Sequence, residues 1–108
     1  MTSEMLKGHL DAILLAVLGA EALHGYAIIE AIRTRSGGHF DLPEGTVYPA
    51  LHRLEQAGLL ASHWVQPDSG RKRRVYQLTD RGRGSLVERR DGWSRFAEGV
   101  ERLLGAPA

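Results

Sequence analysis

The sequence predicts a mainly α fold with one small β-hairpin, and three observations carry that prediction. Apolar residues recur at spacings of three and four in three separate stretches of the first half of the chain. A turn-rich segment, Gln66-Pro67-Asp68-Ser69-Gly70, then separates two short strand-like runs. A long polar segment with apolar residues at coiled-coil spacing follows.

In the first stretch Leu6, Leu10, Ile13, Leu14, Val17 and Leu18 form an apolar stripe with Lys7, His9 and Asp11 off it, so a helix is expected to end at Gly19. Ala20 to Leu23 read as a brief connection. His24-Gly25-Tyr26 leads into a second helix with Ile28, Ile29 and Ile32 inward and Glu30 and Arg33 outward, stopped by Ser36-Gly37-Gly38. His39 to Leu42 read as a short extended piece before Pro43, whose fixed φ suits the mouth of a helix.

The third helix, from near Glu44, places Val47, Ala50, Leu51, Leu54 and Ala57 on a buried back. Thr46, Tyr48, Pro49, His52, Arg53 and Gln56 form its polar front. Pro49 removes a backbone donor and crowds the carbonyl of Gly45, so a slight kink or a start one turn later is expected. Gly58 ends the helix where a left-handed residue is wanted.

Strands follow from Leu59 to Val65 and from Arg73 to Leu78, with Trp64 and Val65 large enough to cover a small core. Thr79-Asp80 reads as an N-cap with an acid in the first turn of a fourth helix. Along it Leu86, Trp93, Phe96, Val100 and Leu103 take the a and d positions of a seam, flanked by Ala97 and Leu104 and interrupted by Arg89. Gly82, Gly84, Gly92 and Gly99 each cost about 1 kcal/mol of helix propensity relative to alanine, so this helix needs packing to persist. A second copy of the chain is the expected partner, in preference to folding back on its own domain. The chain divides accordingly into a first domain, residues 1–78, and a C-terminal dimerisation helix, residues 79–108.

With 108 residues and 43% hydrophobic content the chain fits one small domain. A net charge of +1 does not by itself point to a nucleic acid, but the average hides a skew. Arg71, Lys72, Arg73 and Arg74 are consecutive, and Arg81, Arg83, Arg89, Arg90 and Arg95 follow in the same third of the chain. Absence of cysteine excludes disulfides, thiolate metal sites and a cysteine nucleophile. No apolar run is long enough to cross a bilayer, and the opening M-T-S-E-M-L-K lacks the order of a signal peptide, so a cytoplasmic protein is expected. The histidines His9, His24, His39, His52 and His63 show no paired ligand spacing, and no nucleophile has an evident base. Neither a metal, a cofactor nor catalysis is expected.

Three helices followed by a hairpin tipped with glycine and cations is the element order of a winged helix-turn-helix, whose third helix enters the major groove. Double-stranded DNA is therefore the expected partner. Thr46, Tyr48 and Pro49 lie at the end of the helix that dips into the groove, and His52 and Arg53, one turn back, are placed for phosphates. Tyr48 has two readings, a contact to phosphate or thymine methyl and a plug in the joint between helices two and three. Tyr26 likewise either holds the DNA backbone or only packs. Arg71, Lys72 and Arg73 at the wing tip are expected at phosphates or in a minor groove, whereas Arg74, nearer the strand, has the option of pairing with an acid.

The chain resembles the PadR-like transcriptional regulators. The matching pieces are Gly25-Tyr26, Gly45-Thr46-Val47-Tyr48-Pro49-Ala50-Leu51 with Arg53-Leu54-Glu55 and Gly58-Leu59, then Gly70 through the basic run to Val75-Tyr76-Gln77-Leu78-Thr79, Gly82-Arg83 and Trp93. The single short C-terminal helix resembles the smaller subgroup, some of whose members sense multidrug-type aromatic compounds. This resemblance implies a homodimeric DNA-binding repressor in which the C-terminal and first helices form the interface. It also implies a small aromatic ligand between the Trp93 and Phe96 rings of the two chains, with plain interface packing of those rings as the alternative. Ala27 stands where the family commonly has an acid, and the wing lacks the proline often found after its glycine. A winged-helix dimer that has lost DNA and serves assembly or ligand storage is the rival reading.

Overall fold

Among residues 8–105, which a computed structural model describes, four helices pack with one three-stranded antiparallel sheet. Helix α1 is Leu10–Ala20, strand β1 Leu23–His24, α2 Gly25–Arg35, α3 Glu44–Gln56, β2 Leu60–Val65, β3 Arg73–Leu78 and α4 Asp80–Leu104. Leu6, expected at the head of the first stripe, lies outside the described residues.

The core is built where the helical stripes converge. Leu14, Leu15, Val17 and Leu18 of α1, Ile28 and Ile32 of α2, and Val47, Ala50, Leu51 and Leu54 of α3 are buried together with Leu42 from the connection. Leu60, Tyr76 and Leu78 close the cluster from the sheet. Every expected inward residue of α3 is buried except Ala57, which is exposed because the helix has already ended and Ala57 is its C-cap. Gly58 adopts φ +80°, donating to the Glu55 carbonyl, while Leu59 N–H donates to the Leu54 carbonyl at 3.0 Å. These two bonds satisfy orphan carbonyls of the last turn and send the chain straight into β2. Pro49 lies inside one continuous helix that does start at Glu44, so the expected later start is not what forms.

One strand is new. Leu23 and His24 pair with Tyr76 and Val75, giving a sheet of order β1-β3-β2 with β3 in the centre. The hairpin has the register Leu60↔Leu78 through Val65↔Arg73. Leu60 and Leu78 sit over the core, but the outer half of the hairpin projects past it. Trp64 and Val65, expected to cover the core, are therefore 62% and 40% exposed.

Helix α4 begins inside the same core. The Thr79 hydroxyl accepts from Gly82 N–H at 3.0 Å and donates to the Gly58 carbonyl at 2.7 Å, fastening the start of α4 to the end of α3. Gly82 passes so close to Leu59 that a Cβ there would lie 2.1 Å from the Leu59 carbonyl oxygen. Since the obstacle is backbone, Gly82→Ala is expected to cost about 3 kcal/mol and lower the melting temperature by more than about 10 °C. An unchanged thermal melt would contradict that approach. Leu86, expected in the dimer seam, is buried in the chain's own core instead, where its Cδ2 fills the space beside Gly19. Burying Leu86 here follows from the short connection after β3, which leaves the first turns of α4 lying on α1. Beyond them α4 leaves the domain, and the molecule measures 53 × 28 × 22 Å.

Candidate nucleic-acid interface

The front of α3 emerges much as its spacing predicts. Pro49, His52 and Arg53 are exposed, Thr46 is half-buried, and Tyr48 is 37% exposed. Of the two readings of Tyr48, the plug is the one its position displays. Its ring occupies the space over Gly25, where a Cβ would lie 2.4 Å from Tyr48 Cε1, so it does plug the α2–α3 joint. Burial raises its phenol above the ordinary value, yet part of it still faces solvent. Tyr26, in the first turn of α2, is 66% exposed, and the neighbouring Glu44 carboxylate raises its phenol.

Arg53 departs from expectation. Instead of standing free for a phosphate it forms a two-pronged pair with Asp11 of α1, NH1 to Oδ2 at 3.0 Å and NH2 to Oδ1 at 2.6 Å. Such a fork fits a carboxylate bidentately and fixes the guanidinium against α1. The hydrogen bond from Arg53 holds the Asp11 carboxyl below its usual value against the opposing effect of burial, and Arg89, 3.9 Å away, adds to the lowering. Because the folded pKa lies below the unfolded one, this contribution is present above about pH 4 and lost as pH falls through the folded value. The acid limb of melting temperature against pH should accordingly be steeper for the wild type than for Asp11→Asn. Superimposable limbs would show that the pair contributes nothing to folding.

The wing carries its cations at its end. Arg71 and Lys72 lie in the turn and Arg73 begins β3, all three exposed. Arg74 turns back toward α3, as its place nearer the strand allows. Its Nε donates to Ser62 Oγ at 2.7 Å, Ser62 Oγ donates to Glu55 Oε2 at 2.7 Å, and its NH2 lies 3.4 Å from the same carboxylate. Arg33, Arg35, Arg53, Arg74, Arg89 and Arg102 all stand in ion pairs with carboxylates. Among the described residues Arg71, Lys72 and Arg73 do not, and neither do Arg81, Arg83, Arg90 and Arg95 of α4, but only at the tip are three such cations consecutive.

At the other end of the molecule the seam residues divide. Trp93 and Phe96 are 54% and 61% exposed, with ring centroids 5.9 Å apart, and His9 meets the Trp93 ring edge-on at 5.3 Å. Val100 is half-buried and Leu103 exposed. Between α4 and α1 runs an apolar groove of about 640 Å³ walled by Ala12, Ile13, Ala16, Phe40, Trp93 and Phe96. Spacing marks the α4 side of this groove, but Phe40 sits in an irregular connection with no periodic signal, and its part was not legible.

The arrangement is shared with known proteins. The chain is 50% identical over 56 residues to the transcriptional regulator Rv3488 of Mycobacterium tuberculosis, a match covering 52% of this chain and 51% of that protein. A PadR family transcriptional regulator from Eggerthella lenta superposes with a TM-score of 0.80 at 33% identity, covering 96% of this chain and 88% of that one. A PadR-like transcriptional regulator from Bacillus cereus does so with a TM-score of 0.84 at 28% identity, covering 97% and 100%. The model of the PadR-like transcriptional regulator family matches residues 14–88, from α1 through the hairpin into the first turns of α4. By that match and by its winged-helix architecture, the chain belongs to the PadR-like family of transcriptional regulators.

Proposed function

We propose that this chain is a sequence-specific repressor that binds an inverted repeat as a homodimer and is released by a small aromatic effector. The observation that carries the DNA part is the unpaired tip: Arg71, Lys72 and Arg73 are three consecutive exposed cations without a carboxylate partner, at the turn of the hairpin that follows α3. Thr46, Tyr48, Pro49 and His52 would then face bases and phosphates from α3, Tyr26 the backbone from α2, and the tip cations a second stretch of backbone or minor groove. Arg53 keeps a share in this only by leaving Asp11. Repression follows from occupying promoter DNA.

The dimer part rests on Trp93, Phe96, Val100 and Leu103, which line one side of α4 where it leaves the domain. Two such helices crossing would bury these rings and set two reading heads about 34 Å apart for half-sites one helical turn apart. A flat aromatic molecule in the groove beside Trp93 would bear on the crossing. Because Thr79 and Gly82 fix the start of the same helix to the end of α3, a change at the crossing would alter the spacing or angle of the heads. Without such a change, binding there would regulate nothing.

Selection of duplexes from a random-sequence pool tests this reading, followed by titration of the winner with and without a panel of planar aromatic compounds. Enrichment of a two-fold symmetric sequence bound by two chains, and its release by at least one compound, is expected. A pool that enriches nothing at low salt would favour the rival, a dimer that uses the apolar groove for assembly or ligand storage.

A further inference from the structure

Trp64 stands outside the buried core, 62% exposed. Strand pairing puts Leu60↔Leu78, Ser62↔Tyr76 and Trp64↔Arg74 on one face of the hairpin, because residues directly opposite one another share a side and alternate positions repeat it. The inner members of that face, Leu60, Tyr76 and Leu78, are buried, and Ser62 reaches Glu55 of α3. Trp64 is the next step outward on the same face. It lies past the core, on the side that looks toward α3, and its indole is exposed.

The indole is nonetheless held. The Arg74 guanidinium lies 5.7 Å from its ring centroid, and that guanidinium is itself fixed by Ser62 and Glu55. Arg74 also offsets the Glu55 carboxylate, the one group in this chain of contacts that would repel a phosphate. Beyond Trp64 the strand ends at Val65, opposite Arg73, and the free cations of the tip begin. A large apolar ring with one N–H donor is thus held on the hairpin face that looks toward α3, one step short of the cationic tip. In a winged helix the interval between the third helix and the wing tip is where the sugar–phosphate strand dividing the two grooves passes. Its deoxyribose faces are apolar and its phosphates accept hydrogen bonds, which matches an indole flanked by cations.

We propose that Trp64 is a DNA-contact residue seated on the sugar–phosphate strand between the groove entered by α3 and the backbone met by the tip, with Arg74 as its positioning residue. This rests on the DNA-binding reading above. The chain has two tryptophans, so labelling with 5-fluorotryptophan gives two ¹⁹F signals, and Trp64→Phe identifies which is which. A dye-labelled duplex of mixed sequence, long enough for a dimer, is titrated at low salt while anisotropy reports the bound fraction.

The Trp64 signal is expected to shift in step with anisotropy, and Trp64→Ala to weaken binding about tenfold, as loss of an apolar contact of this size implies. The salt slope should not change, since no charge is removed. In Arg74→Ala the Trp64 signal of the free protein should already move and sharpen, the mark of a ring no longer clamped. A Trp64 signal that stays put in a saturated complex, or full affinity in Trp64→Ala, overturns the proposal and leaves the regulator reading standing. Absence of any anisotropy change with the wild type overturns both.

Discussion

Replacing Arg71, Lys72 and Arg73 together with alanine is expected to weaken binding to every duplex, cognate or not, by roughly a hundredfold or more at moderate salt. The reason is release of counterions: each neutralised phosphate contributes about 0.9 to the slope of log affinity against log salt, so three lost contacts flatten that slope by about 2.7 per bound chain. Discrimination between cognate and random duplex should change little, because phosphate contacts position the protein and base contacts specify the site. None of the three side chains touches the core, so the melt should stay where it is. Equal affinity and equal slope in the triple variant would show that the tip does not meet DNA. The outcome differs in kind from that expected for Trp64→Ala, where affinity falls at constant slope.

Phe96→Ala should leave the chain monomeric at micromolar concentration, where the proposed wild-type homodimer persists. The ring is 61% exposed and its aromatic neighbour within the chain is Trp93, so the monomer loses little when it is removed. Alanine also favours the helix. In a symmetric crossing the ring is buried twice, and the area given up corresponds to about 4–6 kcal/mol for the pair, a loss of more than about a thousandfold in association. Trp93→Ala should act in the same direction, with some additional loss at its contact with His9. Sedimentation across a concentration series measures both. A dimer undisturbed by either change would move the interface away from this side of α4, and with it the proposed effector site.

The fold was largely legible because its signals are local. Spacings of three and four marked each helix, Gly58 and Thr79 marked where one ends and another begins, and the turn residues between Val65 and Arg73 marked the hairpin. Strand β1 was not legible: two residues long, it has no pattern of its own and exists because Leu23 and His24 arrive beside the free edge of β3. The seam was half legible. Periodicity placed Leu86 and Trp93 on one line, but it does not say which part of that line the chain covers itself.

What this sequence determined by itself is the four helices and the hairpin, the buried faces of α2 and α3, and a run of cations at a turn, since each depends on neighbours a few residues away. The tertiary structure alone decided which polar and aromatic groups remain free. Arg53 is taken by Asp11, 42 positions distant; Arg74 by Glu55; and Leu86 by the surface beside Gly19. Trp64, Trp93 and Phe96 are left outside. An ion pair or a filled contact is a property of two side chains brought together by the fold, and no periodicity within one segment encodes the approach of another.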